Sequence, residues 1–527
     1  MNAELSSDAS RPGASGALET ATRTGLRLGA VNLVCRSASV VKELAVAYVL
    51  GASAVTDAFA LVMLLPGLVT SLVFQSARSA FLTEFPFQEK RGPAAGQRFA
   101  HAFVLQLGLA GLLAAACGGT ILWLAWDRLF PWSSPQVAYY ARRMLLPVSL
   151  LVVAVAVTSA WTALLHARRC FVLPQLTSLL PTACVLAGIL LLPAPFAWRA
   201  LAEGLLYGTA IQAVWLLFVV RRTGFYSAKE PWLVLRGGTS SLWALAFPVL
   251  LANIATQVNS YVDRMMAAGL DEGAVAVLHW ASLLHDVAST TLVAGLLSTM
   301  LPHMAEQLAM QRRQEAADDL HHLIKAGAVV LLPFSCATIA AAFLFSRNVH
   351  FGQLDQKAVQ LLAGCFAAYV IGLFAQLASN CLYQTLVVLR RTRLLVLLSI
   401  FANLLLNVIL NLLLIRPLGA VGLALATSLV ALATLLANAT AVRLDLPFRW
   451  TVILPSILWA SGLSLVITLP VVFTSYGIME LLPPSPWTSI GMAIVSWSTV
   501  LAAFWVAAWR IACLRPQLEW IRKLVVQ

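Results

Sequence analysis

Arg36, Lys42, Glu43, Asp57 and Arg78 stand inside otherwise apolar text between Cys35 and Phe81. An ionisable group at bilayer depth costs about 2.5–3.5 kcal/mol on insertion scales, so it normally faces water or a partner and marks a path for a polar substrate or an ion. Arg36 and Glu43 lie two helical turns apart and share a stripe with Ser39, which makes an ion pair within one helix the expected arrangement. Lys42 falls on a different face, and Asp57 enters just past the short Gly51–Ser53 turn, so at least one charge needs a partner across a helix interface. A second set repeats the design. Asn253, Gln257, Ser260 and Arg264 recur at helical spacing with Asp263 beside Arg264, and the following stretch carries His279, Ser282, Asp286 and Ser289 with His285. Polar stripes of this kind serve either as interhelical glue or as the wall of a cavity. With Arg36, Lys42, Arg78 and Arg264 as its cations, such a cavity calls for an anionic ligand, and Glu43, Asp57, Asp263 and Asp286 read as ion-pair or gating partners. His279 and His285 titrate near neutral pH and are candidates for proton coupling, although a histidine in a membrane is more often simply packed and hydrogen-bonded.

The elements that position these groups follow from composition. Of 527 residues, 60% are hydrophobic and 11% charged, whereas a soluble domain carries about 25% charged residues. Apolar runs long enough to span the bilayer recur along the chain and give about fourteen transmembrane helices, with no soluble domain between them. The expected architecture is an all-α polytopic membrane protein of two six-helix lobes plus two C-terminal helices. Residues 1–26 read as a disordered cytoplasmic tail, 27–222 as the N-lobe, 223–239 as a cytoplasmic linker, 240–442 as the C-lobe and 443–527 as two further helices and a tail. The pair of helices around the Asp271-Glu-Gly273 turn resembles the pair around Gly51–Ser53, the sign of an internal repeat with a site at its interface.

The net charge of +13 is explained by topology rather than by nucleic acid. Lys90, Arg91, Arg168, Arg169, Arg221, Arg222, Arg312, Arg313, Arg390, Arg391 and Arg393 fall in even-numbered connections, which places both termini in the cytoplasm. The basic pairs at these connections are expected at the lipid headgroups. The eight cysteines form no CxxC pair and read as helix-packing residues. An Asn403, Asn407, Asn411 ladder likewise reads as helix packing. P-loop, HExxH and GxSxG motifs are absent, so neither ATP coupling nor an enzyme is expected, and no metal site or bound cofactor.

The text from Gly51-Ala-Ser-Ala-Val-Thr-Asp-Ala-Phe59 through Leu65-Pro66, together with Val262-Asp-Arg through Gly273, Ala274 through Ala281, Thr299 through Pro302, and Tyr383 with Asn403, Asn407 and Gly419 through Thr427, resembles the MurJ/MviN family of lipid II flippases. That family belongs to the multidrug/oligosaccharidyl-lipid/polysaccharide exporter superfamily. The resemblance implies alternating access in the bacterial inner membrane. Two lobes rock about a central cationic cavity that takes the pyrophosphate and sugars of an undecaprenyl-linked precursor, with the lipid tail in a groove near the last two helices. It places Arg36 and Lys42 on the family's first two basic positions, Glu43 on the acidic residue after them and Asp57 on the aspartate of the "TDAF" text. This chain departs at Thr70 and Ser71 and at Leu283, where the family carries basic residues.

The expected function is translocation of a lipid II type precursor for peptidoglycan synthesis. Its alternatives are a flippase for an exopolysaccharide or O-antigen repeat unit, a cation-coupled small-molecule antiporter, and a non-transporting envelope scaffold. Expected partners are the lipid-linked saccharide, membrane lipids and envelope-synthesis enzymes. The driving force would be Na⁺, H⁺ or the membrane potential.

Overall fold

The computed structural model describes residues 14–193, 196–222, 261–347, 349, 352–389, 391–483, 485–511 and 513–519, with the single positions 242, 243, 246, 247, 250 and 259. Its regular elements are helices: α1 Ala14–Leu50, α2 Ala54–Lys90, α3 Pro93–Leu129, α4 Pro135–Ala167, α5 Val172–Leu191 and α6 Ala197–Arg222 in the first half. A short described segment, 261–267, is α7. Then follow α8 Ala274–Ala309, α9 Arg313–Phe345 and α10 Gln356–Val388. The helical stretch from Thr392 to Val442 is broken at Gly419, whose φ of 56° and ψ of −134° interrupt the rod two residues after Pro417. We call residues 392–418 α11 and 420–442 α12. Trp450–Leu481 is α13 and Pro486–Ala508 is α14. Among the described residues ten helices are long and apolar enough to cross a membrane, and the chain is a multi-pass membrane protein.

Two helix boundaries differ from the sequence expectation. The first helix starts at Ala14, inside the stretch expected to be a disordered tail. The second continues past Phe81 to Lys90. Hydropathy reports the membrane-crossing part of a helix, and the polar last turns of α2 are held instead by local pairs: Gln88 donates to Glu84 at 2.8 Å and Arg168 meets Glu89 at 2.7 Å. The 223–239 linker, most of the expected seventh helix, and Asn253, Gln257 and Ser260 with it, lie outside the described residues.

The apolar core is distributed unevenly along the helix axes. At the end of the molecule that carries the α1–α2 and α7–α8 turns, one continuous cluster joins both halves of the chain, from Val46, Phe59, Trp126 and Met144 to Val275, Leu278, Trp280, Leu354 and Leu423. Toward the opposite end the halves bury separate clusters, one around Phe74, Phe81, Phe103, Trp161 and Leu164, the other around Leu320, Leu377, Leu382, Val442 and Ile453. Shared burial holds the lobes together at the turn end, and nothing equivalent among the described residues joins them at the other. Helices α13 and α14 pack against α9 through Val329, Ala460, Phe504 and Ala508.

Among the described residues two helices carry a π-helical turn, Thr70–Phe74 in α2 and Ile400–Leu406 in α11. Each turn inserts an extra residue and re-aims the side chains that follow, a feature that recurs at functional sites.

Candidate functional site

The joint between the lobes is built from two turns. Gly51 has φ of +62°, and a Cβ there would meet the backbone carbonyl of Gln353; Gly273 has φ of +89°, and a Cβ there would meet Ala52. Only glycine accepts both the left-handed backbone and the close approach. With the turns in contact, each lobe caps a helix of the other. Asp57 of α2 accepts hydrogen bonds from the N–H of Gly273 at 2.6 Å and of Ala276 at 2.8 Å, at the start of α8. Glu272, just before α8, accepts from the N–H of Ala54 at 2.7 Å, the first residue of α2. A helix N-terminus leaves its first N–H groups without intrahelical partners and carries partial positive charge, so each carboxylate is well placed. The loop after α9 closes the same end, the N–H of Gln353 donating to the Tyr48 carbonyl at 2.8 Å.

Inward from the joint, α1 presents its charges to α8. Lys42 Nζ lies 2.7 Å from Glu43 Oε1, and Glu43 Oε2 accepts from the Trp280 indole N–H at 3.1 Å. Glu43 is buried, and its two oxygens are thereby satisfied from both lobes. Arg36, more exposed, donates to Thr290 Oγ1 of α8 at 2.9 Å. The ion pair expected between Arg36 and Glu43 does not form, because adjacent Lys42 reaches Glu43 and leaves Arg36 free to cross to α8. His279 sits within Coulombic reach of Glu43, Lys42 and Arg264.

The C-lobe holds a cavity of about 390 Å³ lined by Asp263, Arg264, Asp286, Tyr369, Tyr383 and Thr427 among others. Arg264 is its guanidinium, facing the Asp286, Tyr369 and Tyr261 side chains. Asp286 is exposed, its Oδ1 3.6 Å from Nδ1 of buried His285. Asp263, read as an ion-pair or gating partner, takes its hydrogen bonds from neutral donors. Its Oδ1 accepts from Asn411 Nδ2 at 2.6 Å, its Oδ2 from Thr427 Oγ1 at 3.1 Å, and Asn411 is braced by Asn407 at 2.9 Å. The asparagine ladder, expected only to pack helices, therefore holds a buried carboxylate. The Asn403 side chain lies outside the described residues. Asp57, read as an ion-pair or gating partner, likewise meets backbone N–H groups and no cation, at the contact that closes the turn end.

Arg78 stands apart. It is half-buried in α2 near His166 of α4 and does not line the Arg264 cavity. Thr70 and Ser71 begin the π-turn of α2, where Ser71 hydrogen-bonds Tyr261 of α7, so this position joins the lobes by a neutral contact. Glu272 and Trp280 were not singled out from the sequence as chemical groups. An acidic residue directly before an apolar helix was the available signal for Glu272; nothing local marks Trp280. Of the basic pairs expected at lipid headgroups, Arg168 is engaged by Glu89, and Arg391 by both oxygens of Asp445 at 2.7 and 2.9 Å.

A second cavity, about 470 Å³ and almost wholly apolar, lies between α8, α9, α10 and α14, with Leu284, Phe345, Val359, Phe366, Ile494 and Trp497 in its wall.

Residues 46–511 match the family model described as lipid II flippase MurJ. The chain belongs to this family. A lipid II flippase MurJ of Burkholderia cenocepacia is 24% identical over 379 residues, covering 67% of this chain and 70% of that protein. A probable lipid II flippase MurJ of Treponema pallidum is 23% identical over 462 residues, 82% and 83% of the two chains. Among solved structures, one described as lipid II flippase MurJ in an inward closed conformation superposes with a TM-score of 0.74 at 17% identity, over 92% of this chain and 99% of that one. An inward-facing multidrug resistance MATE family transporter of the MOP superfamily gives 0.56 at 11% identity, over 79% and 93%. The MurJ match includes Asp57, Glu272, Asp263, Arg264 and Asp286 and begins just after Arg36, Lys42 and Glu43.

Proposed function

We propose that this protein is a flippase that carries an undecaprenyl-pyrophosphate-linked saccharide of the lipid II type across the bacterial inner membrane, for peptidoglycan synthesis, by alternating access. The observation that supports this reading most is the pairing of a closed end with cations from both lobes behind it. The two lobes share one core and cap each other's helices at the turn end, while Arg36, Lys42 and Arg264 present positive charge from both lobes on the far side of that closure. Cations in a low-dielectric site attract a pyrophosphate strongly. The apolar groove beside α14 suits the polyprenyl tail.

In this reading the termini are cytoplasmic, the chain crosses the membrane about fourteen times, and the turn end faces outward, so the substrate enters from the cytoplasmic side. Arg36, Lys42 and Arg264 contact phosphate, while Arg78 adds charge within the N-lobe. Release requires the Asp57 and Glu272 caps to break. No covalent chemistry is assigned to the protein. Asp263, buried among uncharged donors, is the group whose occupancy by H⁺ or Na⁺ would couple transport to an ion gradient.

Neutral Thr70, Ser71 and Leu283 favour, as a second reading, a different undecaprenyl-linked glycan, such as an exopolysaccharide or O-antigen unit. Complementation of cells depleted of their lipid II flippase separates the two. Rescue by the parent and not by Arg36→Ala at equal membrane levels supports lipid II transport; failure of a well-inserted parent turns the assignment to the other glycan.

A further inference from the structure

Where α3 turns into α4, a cavity of about 560 Å³ opens at the turn end of the N-lobe, lined by Asp127, Phe130, Ser133, Tyr139, Arg142 and Arg143 with neighbouring residues. None of Arg36, Lys42 and Arg264 lines it, so it is separate from the site behind the closure. Arg142 donates through Nη2 to both oxygens of Asp127, at 2.8 and 3.0 Å, and this pair is neutral as a unit. Arg143 is held differently. Its guanidinium carbon lies 4.4 Å from the centre of the Tyr139 ring and 5.8 Å from that of Trp198, and among the described residues no carboxylate is within ion-pair distance of it.

Stacking fixes a guanidinium by its faces and leaves its in-plane N–H edge free. Two parallel N–H groups on such an edge match two oxygens of a phosphate. Tyr139 and Trp132, the latter between the cavity-lining Pro131 and Ser133, are exposed, as aromatic side chains are where headgroups begin. Trp132 also packs against Gly269 of the α7–α8 turn, so the cavity adjoins the joint between the lobes.

We infer that this cavity binds a phosphate group, with Arg143 as its bidentate contact, Tyr139 and Trp198 as the stack that holds Arg143 in place, and Arg142 as a neighbouring charge already neutralised by Asp127. The phosphate belongs either to an anionic lipid headgroup or to a free phosphate in solution. Both present the same oxygens.

The test uses the full chain. Lipid retained from nanodiscs of phosphatidylcholine mixed with phosphatidylglycerol is read by native mass spectrometry, and the melting temperature is read with and without inorganic phosphate at constant ionic strength. A lipid source predicts that the parent retains about fivefold more phosphatidylglycerol than Arg143→Gln, as expected for one basic contact at a membrane surface. A free source predicts a rise in melting temperature with phosphate that Arg143→Gln loses. Tyr139→Leu keeps the charge and removes the stack, and it should weaken whichever signal is seen. Equal retention and equal melting in the parent and Arg143→Gln overturn the assignment. None of these readouts depends on transport, so the result stands whether or not the proposed flippase activity holds.

Discussion

Asp57 accepts a hydrogen bond from the backbone N–H of Gly273 at 2.6 Å, joining α2 of one lobe to the start of α8 in the other. Glu272 returns the contact to Ala54 at 2.7 Å. The closure is thus made twice, once from each half of the chain, by carboxylates on helix N-termini.

Asp57→Ala should loosen that end. Each hydrogen bond to a charged acceptor contributes about 1.5–3 kcal/mol, so the closed population should fall by about tenfold or more relative to the open one. In a background whose eight cysteines are replaced, a reporter Ala52→Cys should react faster with a maleimide in Asp57→Ala than with Asp57 present. Glu272→Ala should act in the same direction and more weakly, because it removes one such bond rather than two. Unchanged labelling rates in both would show that the caps do not hold the end shut.

Glu43 is buried between Lys42 and Trp280, so removing it leaves a charge and an indole N–H without partners. Breaking one half of a buried pair costs about 3–5 kcal/mol. Glu43→Ala should therefore melt well below the parent, and Lys42→Ala/Glu43→Ala should recover part of that loss although transport stays impaired. Equal melting of the single and double variants would argue against the pairing.

Asn411 is the shortest hydrogen-bond donor to Asp263. Asn411→Ala should destabilise the C-lobe by about 1–3 kcal/mol, the cost of leaving a buried acceptor short of a partner. Asp263→Asn/Asn411→Ala should be less affected than Asn411→Ala alone, since a neutral amide needs less compensation. Thermal unfolding in detergent reads both.

Arg391 holds the carboxyl of Asp445 below the usual carboxylate range, chiefly through their hydrogen bonds, in the connection between α12 and α13. A carboxylate with a depressed folded-state pKa stabilises the fold above its unfolded pKa and loses that contribution as pH falls through the folded value. Asp445→Asn should lower the melting temperature slightly at neutral pH, and the difference should close in acid, below the normal aspartate range. The effect is small because the pair is largely solvated. A difference that grew on acidification would contradict the ion pair.

Much of the fold could be read from the sequence because membrane burial writes long apolar runs, and Gly51–Ser53 and Asp271–Gly273 punctuate them. The charges of the site stood out for the same reason: Arg36, Lys42, Glu43, Asp57, Asp263 and Arg264 interrupt apolar text. Their partners were less legible. Helical spacing put Arg36 with Glu43, but proximity and rotamer reach gave Glu43 to Lys42, and Trp280 comes from the other lobe with no local mark. Asp57 carries no sign that its partner is a distant helix terminus, since backbone N–H groups are present at every residue. The Asn407–Asn411 pair looked like helix glue because an asparagine that braces a carboxylate has the same spacing as one that packs helices. Helix ends also diverged: hydropathy locates the part inside the bilayer, and both α1 and α2 extend beyond it.

The most direct test of alternating access is to fasten the closed end. Ala52→Cys and Asp271→Cys, placed in a background without the native cysteines and joined by a short bifunctional thiol reagent, would hold the α1–α2 turn against the α7–α8 turn. Lipid II at the outer face of flippase-depleted cells is then measured before and after linking. The account predicts that linking stops its appearance and that a cleavable linker restores it on cleavage. Undiminished lipid II at the outer face with the turns fully linked would contradict it.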